Sequence, residues 1–335
     1  MNSIFPYIPL FTSTLILGTL MSLSSNQWLF IWMGLEINLL SFVPLAIYTS
    51  QNQETEGAIK YFLAQAMGSG LLLLGVINYF FYPLLFTGYK TSCLFVVISL
   101  LIKLGMAPCH FWFPPVMASL SWPMCLILST WQKLIPMSII IFTMWPMTNY
   151  LFMAPAMLSG IIGGLGGINQ TQLRPLLAYS SVGHMGWMYA ASSASSTTSA
   201  MYLLIYILIV TSIMYLMMKI TSKSTKQVTS VTMMSPMFIS LLTMNLLSLG
   251  GLPPFSGFFP KWASIECLMM NNLWPTTLIL IISSLMNLSF YLNIFFNTHL
   301  KSMTNYKINN NQPRIIMSML TICSCWLLPL MMLMM

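Results

Sequence analysis

Residues 91–120 read TSCLFVVISLLIKLGMAPCHFWFPPVMASL, and their reading decides the fold. The stretch is mostly apolar and longer than the ~20 residues with which an α-helix crosses a bilayer. Lys103 lies near its middle, and Gly105 and Pro108 follow at once. Proline inside a helix removes a hydrogen bond and collides with the preceding turn. The stretch therefore reads as a membrane span that breaks beside a buried lysine. A second stretch has the same character. Residues 232–270 form one long apolar run that contains SLGGLPPFSGFFPKW at 248–262. There Gly250, Gly251, Pro253, Pro254, Gly257 and Pro260 precede Lys261. Broken helices at membrane depth are tolerated where they are buried in protein or line a wet cavity. A matching pair of them in two halves of a chain is a pointer to a transport site.

Working outward, apolar runs bounded by Pro, Gly, Asn or charge predict about eleven spans, at 7–24, 27–49, 58–81, 91–120, 122–144, 150–168, 173–193, 198–219, 232–270, 273–297 and 315–334. Composition agrees. Charged residues make up 5% of the 335 and hydrophobic residues 57%, whereas a soluble domain carries about 25% charged residues. A backbone in lipid must satisfy its own hydrogen bonds, so the runs are helices. The alternating ten-residue segments of a β-barrel are missing. The expected fold class is all-α and polytopic.

The charges test this threading. If the N-terminus is placed on one side and every span crosses, the loops on that side hold Lys60, Arg174, Lys219, Lys223, Lys226, Lys301, Lys307 and Arg314, and those on the other hold Lys90. Basic residues collect on the inner side of a membrane, so the N-terminus is expected inside and the C-terminus outside. The same rule accounts for the net charge of +8 without a nucleic-acid partner. The N-terminus MNSIFPYIP lacks the positive region of a signal peptide, so the first helix is expected to be retained. The six cysteines form no CxxC pair and fall mostly in apolar stretches, where a free cysteine packs as a small hydrophobe. Cys323 and Cys325 point apart on a helix. With four glutamates and no aspartate, a carboxylate-built metal site is not expected.

Four ionisable residues fall inside spans: Glu36, Lys103, Lys133 and Lys261. Each costs roughly 2.5–3.5 kcal/mol at the bilayer centre on insertion scales, so the set costs on the order of 10 kcal/mol. The plain reading is snorkelling of long side chains to the interface. It suits Lys261 better than the other three, which lie near the centres of their spans. The sharper reading is a proton relay. Burial disfavours the charged form of an amine, and a carboxylate such as Glu36 moving near it would switch its hold on a proton. His110 and His184 exchange protons near physiological pH and could bridge steps. Pro136 should loosen the helix that carries Lys133. Glu266 could pair with Lys261 or face a partner, and His299 is given no role.

The spans also divide into sets of five. Residues 1–144 would form one repeat and 150–297 an inverted second, with 315–334 as an extra C-terminal helix. An odd number of crossings forces the inversion. It aligns the two broken spans, pairs the span of Glu36 with that of His184, and sets the Lys133 span against one holding Asn287 and Asn293.

KLGMAPCHFWFPPV (103–116), QKLIP (132–136), RPLLAYSSVGHMGW (174–187) and SLGGLPPFSGFFPKW (248–262) resemble the motifs of the antiporter-like membrane subunits of respiratory complex I. The resemblance runs over essentially the whole chain, and its length is similar to the short, eleven-span animal type. It implies two inverted five-helix repeats, each with a discontinuous helix, in a unit that moves protons while quinone is reduced elsewhere. By motif, Glu36 and Lys103 resemble the family's glutamate–lysine pair, Lys133 its central relay lysine, and Lys261 the lysine of the second broken helix, with His184 on the same polar axis. It implies no cofactor in this chain: NADH, FMN, iron–sulfur clusters and ubiquinone would belong to other parts of the complex. The implied partners are other membrane-arm subunits and the lipids of the mitochondrial inner membrane, cardiolipin among them, with no homo-oligomer. The matrix would be the N-terminal side and the intermembrane space the C-terminal side. Longer bacterial-type members begin with three further helices, whose surface would here meet another subunit. The glycine-rich stretch 160–167 lies inside a span rather than in a βαβ unit, so it is not read as a nucleotide fingerprint. Two other readings stand beside this one: a self-standing cation/proton antiporter of the same superfamily, and a purely structural membrane subunit.

Overall fold

The structure is a computed structural model that describes residues 7–47, 52–81, 86–143, 149–221 and 236–304. Among these residues every regular element is helical. Six helical stretches are long and apolar enough to cross a membrane: Tyr7–Ser24, Trp28–Ala46, Asn52–Phe81, Trp122–Phe142, Ser196–Met218 and Trp274–His299. Thr91–Leu104, Met153–Ile168 and Ile239–Gly250 are shorter apolar helices. The expected span at 315–334 lies outside the described residues. The chain divides into two compact units, Met1–Thr143 and Met144–Met335.

In the first unit α1 (Tyr7–Ser24), α2 (Trp28–Ala46) and α3 (Asn52–Phe81) follow one another. The interrupted span then supplies α4 (Phe86–Leu104), a 3₁₀ turn at His110–Trp112 and α5 (Phe113–Ser119). α6 (Trp122–Ser129) and α7 (Trp131–Thr143) close the unit. α3 begins six residues before the apolar run that marks it, because Asn52–Gly57 is polar yet helical, with Glu54 in the first turn. A carboxylate there complements the positive end of the helix dipole. Small residues set the close approaches, as expected where lipid supplies no hydrophobic drive between helices. A Cβ at Gly34 would stand 2.7 Å from the Gly18 carbonyl, and one at Gly75 would stand 2.8 Å from Val96.

Pro136 was expected to loosen the helix around Lys133, and the interruption falls one turn earlier. Pro136 lies inside α7, while Thr130 separates α6 from α7. The proline ring excludes the carbonyl four residues back, and the turn before it tightens, with Lys133 N–H bonding the Thr130 carbonyl at 3.3 Å.

The second unit contains α8 (Asn149–Ile168), α9 (Leu173–Ala194), α10 (Ser196–Thr221), α11 (Pro236–Gly250), α12 (Phe258–Met270) and α13 (Trp274–Thr304). α9 is its centre, packed by α8, α10, α12 and α13 and buried almost all round from Pro175 to Ser193. The glycine-rich stretch of α8 is a packing surface. Gly163 meets the Gly183 backbone of α9, and Gly160, Gly164 and Gly167 meet Leu280, Met286 and Phe290 of α13.

Buried hydroxyls satisfy themselves within their own helices. Ser99 donates to the Val96 carbonyl at 2.6 Å, Ser192 to Tyr189 at 2.7 Å and Ser264 to Lys261 at 2.7 Å. This is how a serine-rich helix avoids stranding polar atoms in an apolar surround.

Candidate functional site

Both interrupted spans end their first half in the same way. After α4, Gly105 takes φ +67°. Its N–H bonds the Ile102 carbonyl at 3.1 Å, and Met106 N–H bonds the Leu101 carbonyl at 3.0 Å. After α11, Gly251 takes φ +82°, with Gly251 N–H to Ser248 at 3.0 Å and Leu252 N–H to Leu247 at 3.5 Å. This paired pattern is the Schellman cap, which needs a left-handed residue and so favours glycine. Prolines at 108, 253 and 254 then prevent the helix from resuming at once.

In the first unit the break builds a polar cavity. Tyr61, Gln65, Lys103, Leu104, Trp112, Phe113, Leu128, Gln132 and Lys133 line it, and it has room for about one water molecule. Its two lysines are 5% and 3% exposed, too deep to snorkel. Lys103 comes from the last turn of α4, where the negative end of the helix dipole favours a cation. Lys133, on the first turn of α7, places its Nζ 4.9 Å from the centre of the Phe113 ring, a cation–π arrangement. The freed carbonyls of α4 are taken up by side chains: Gln65 Nε2 donates to the Lys103 carbonyl at 3.3 Å, and Trp112 Nε1 to Ile102 at 3.0 Å.

Glu36 of α2 is half-buried, and its Oε2 has no hydrogen-bond partner among the described residues. It lies within electrostatic range of Lys103 and Tyr61. No direct ion pair joins it to the lysine. Two residues on, Asn38 Oδ1 accepts from Gln132 Nε2 at 3.1 Å, which ties the helix of Glu36 to that of Lys133. His110 is buried at the break, and its Nδ1 has no hydrogen-bond partner among the described residues.

In the second unit Lys261 is 6% exposed. It comes from α12, after the break, and reaches back to donate to the Gly250 carbonyl at 2.7 Å. Glu266 does not pair with it: that residue is exposed. His184 of α9 is buried and hydrogen-bonds the Tyr202 hydroxyl through Nδ1 at 3.0 Å, with the Tyr206 ring 5.5 Å away. Asn287 is buried and its side chain lies against Gly183 of α9. Thus the structure joins Lys103 and Lys133 in one cavity with Glu36 near it, and sets Lys261 and His184 in the second unit. Sequence reading did not single out Tyr61, Gln65 or Gln132 as cavity-lining residues. Gln65 had a signal: an amide in the middle of an apolar run.

Among the described residues no group of three or more His, Cys, Asp or Glu is placed to hold a metal ion. Cys93 and Cys125 are buried thiols, and Cys109 and Cys267 are half-buried.

An all-helical membrane fold with two capped breaks beside buried lysines defines an antiporter-like membrane subunit. Residues 25–287 match the model of the family described as NADH:quinone oxidoreductase/Mrp antiporter, transmembrane. The chain is 43% identical over 310 residues to the NADH-ubiquinone oxidoreductase chain 2 of Lumbricus terrestris, covering 90% of this chain and 91% of that one. It is 43% identical over 305 residues to the chain 2 of Anopheles gambiae, covering 90% and 87%. The chain belongs to the NADH-ubiquinone oxidoreductase chain 2 family. Its fold is similar to a chain in respiratory complex I from Thermus thermophilus, with TM-score 0.81 at 23% identity over 94% of this chain and 75% of that chain. It is also similar to a chain of the Mrp complex from Dietzia sp. DQ12-45-1b, with TM-score 0.77 at 17% identity over 91% and 61%.

Proposed function

We propose that this chain is a membrane-arm subunit of the mitochondrial NADH–ubiquinone oxidoreductase that moves protons across the inner membrane as electrons pass from NADH to ubiquinone. The observation that carries this is the cavity holding Lys103 and Lys133. Two buried amines share a polar space beside a broken helix, and Glu36 stands near enough to bias Lys103. Two ammonium ions in one small cavity repel each other, so a proton on one disfavours a proton on the other. That coupling is what a relay needs to pass charge onward.

In this reading Glu36, Lys103 and Lys133 form the first half of the relay. His110 stands at the break, and Lys261 and His184 serve the second unit. The capped breaks support an inverted repeat of 1–144 and 150–297, and the apolar run of the sequence at 315–334 supplies the last of the eleven spans of this reading. The N-terminus lies on the matrix side and the C-terminus on the intermembrane side, as the basic loops suggest. The redox groups belong to other chains of the complex, and the chain meets its membrane-arm neighbours and lipid, cardiolipin included, through its exposed apolar faces.

Lys133→Met in the assembled complex tests this. In reconstituted vesicles the variant is expected to lose proton translocation per NADH oxidised. An unchanged proton-to-electron ratio would mean the lysines are structural. The likeness to the Mrp complex favours one second reading, a self-standing antiporter. A native gel of gently solubilised membranes separates the two: the first reading puts the chain only in a large NADH-active band, the second in a small inactive one.

A further inference from the structure

Two glutamates sit two residues apart at the start of α3, and the fold treats them oppositely. Glu56 is on the outside, its side chain 70% exposed and 3.9 Å from Lys60. Glu54 is 3% exposed, although it lies in the first turn of the helix and beyond the apolar run. Gln53 beside it is exposed, as is Lys60 further along the helix.

The buried face that Glu54 begins leads to the cavity. Residues three, four, seven and eleven positions apart share a helix face, and on α3 that face carries Glu54, Gly57, Ala58, Tyr61 and Gln65, all buried. Tyr61 and Gln65 line the cavity of Lys103 and Lys133. About 10 Å of helix axis separates Glu54 from Tyr61, and about 6 Å separates Tyr61 from Gln65. Gly57 lets α5 pack directly on this face. A Cβ there would overlap the Ser119 hydroxyl of α5, which therefore stands directly against α3 between Glu54 and Tyr61.

We propose that Glu54 is the proton-collecting carboxylate that feeds the first unit's cavity from the side of the basic loops, along the α3 face of Gly57, Tyr61 and Gln65. This rests on the proton-translocating reading above. The carboxylate takes a proton from water at the end of α3. It passes the proton by way of the Ser119 hydroxyl to water in the cavity beside Tyr61, and the Lys103 amine receives it as an ammonium. Glu54 returns to its carboxylate form when the proton leaves. Gln65 takes no proton and orients the last step, its amide fixed on the Lys103 carbonyl.

The test uses the whole complex in vesicles, scored as protons moved per NADH oxidised so that poor assembly does not count. Glu54→Gln keeps the shape and removes the titratable group, and is expected to slow coupled proton uptake about tenfold or more. Glu54→Asp keeps a titratable carboxylate and is expected to restore most of it. Glu56→Gln is expected to pump normally. Tyr61→Phe removes one hydroxyl from the route and keeps the test open should Glu54→Gln not assemble; it too should lower the ratio. Normal pumping by Glu54→Gln, or by Tyr61→Phe where only that variant assembles, overturns the entrance. Lys133→Met run in parallel separates the failures. If Lys133→Met stops pumping and Glu54→Gln does not, only the entrance is wrong. If both pump normally, the relay itself is wrong.

Discussion

The two breaks in this chain share a cap and differ in where the lysine stands. Lys103 is on the helix before its break and Lys261 on the helix after its break. Each nonetheless lies at the negative end of the first half-helix. Lys261 spends its ammonium on the Gly250 carbonyl. Lys103 does not cap its own helix, because Gln65 and Trp112 hold the carbonyls there, and its side chain turns into a cavity with a second lysine. The lesson is that a broken helix can support a buried amine in two ways. One fixes the amine as a cap. The other leaves it among polar neighbours, able to change its charge without dismantling the helix end.

Removing each lysine is the largest test of that difference. Both Lys103→Leu and Lys261→Leu should abolish coupled pumping if both belong to the relay. Their effects on stability should part. Lys261→Leu strips the Gly250 carbonyl of a charged donor in a buried site, at a cost of about 1–3 kcal/mol. Lys103→Leu removes an expensive buried charge whose neighbours keep their own partners, and should leave stability level or improve it. Thermal melting of the assembled complex, followed by native gel, reads both. Equal destabilisation would erase the distinction between cap and cavity.

The next effect down concerns the two cap glycines. Alanine at either left-handed position carries a backbone cost of about 1 kcal/mol. At Gly105 the added Cβ stands 3.0 Å from the Phe113 Cβ. At Gly251 it stands 2.8 Å from the Lys261 Nζ and 2.9 Å from its Cδ. Gly251→Ala should therefore displace the lysine from its carbonyl and cost more, with pumping falling alongside assembly. Gly105→Ala should add to the backbone strain a small displacement of the Phe113 and Trp112 rings, and spare more of the pumping. The same melting and vesicle assays decide it, and a reversed order would mean that the Lys261 bond contributes little.

These contrasts also mark what sequence could and could not carry. Both breaks were legible, since Gly and Pro beside lysine within an overlong apolar run have few other meanings. The span limits of α1, α8 and α9 were legible for the same reason: apolar runs in lipid must be helices. The start of α3 was not, because its polar first turn looks like a loop until the helix dipole and the burial of Glu54 are considered together. Nor was the interruption at Thr130, since proline announces a disturbance but not on which side of itself it falls. The glycines of α8 were set aside as a nucleotide fingerprint, yet their packing on α9 and α13 depends on partners that no local pattern names. Which of Glu54 and Glu56 turns inward is likewise a matter of helix rotation against α5, fixed by Gly57 and Ser119.

The smallest prediction extends the comparison to a third cap. α12 ends with Asn272 at φ 57°, and its bonds repeat the pattern: Asn272 N–H to the Met269 carbonyl at 3.0 Å and Leu273 N–H to Leu268 at 3.0 Å. Here asparagine does what glycine does at the two breaks, because a short polar side chain tolerates the left-handed region. No lysine depends on this cap. Asn272→Ala should cost about 1 kcal/mol and leave pumping intact, and Asn272→Gly should shift stability by only a few tenths of a kcal/mol. Differential scanning of the solubilised complex, set beside its proton-to-electron ratio, measures both. A pumping defect in Asn272→Ala would show that strain at any cap is felt at the lysines, and the special coupling of Gly251 to Lys261 would lose its meaning.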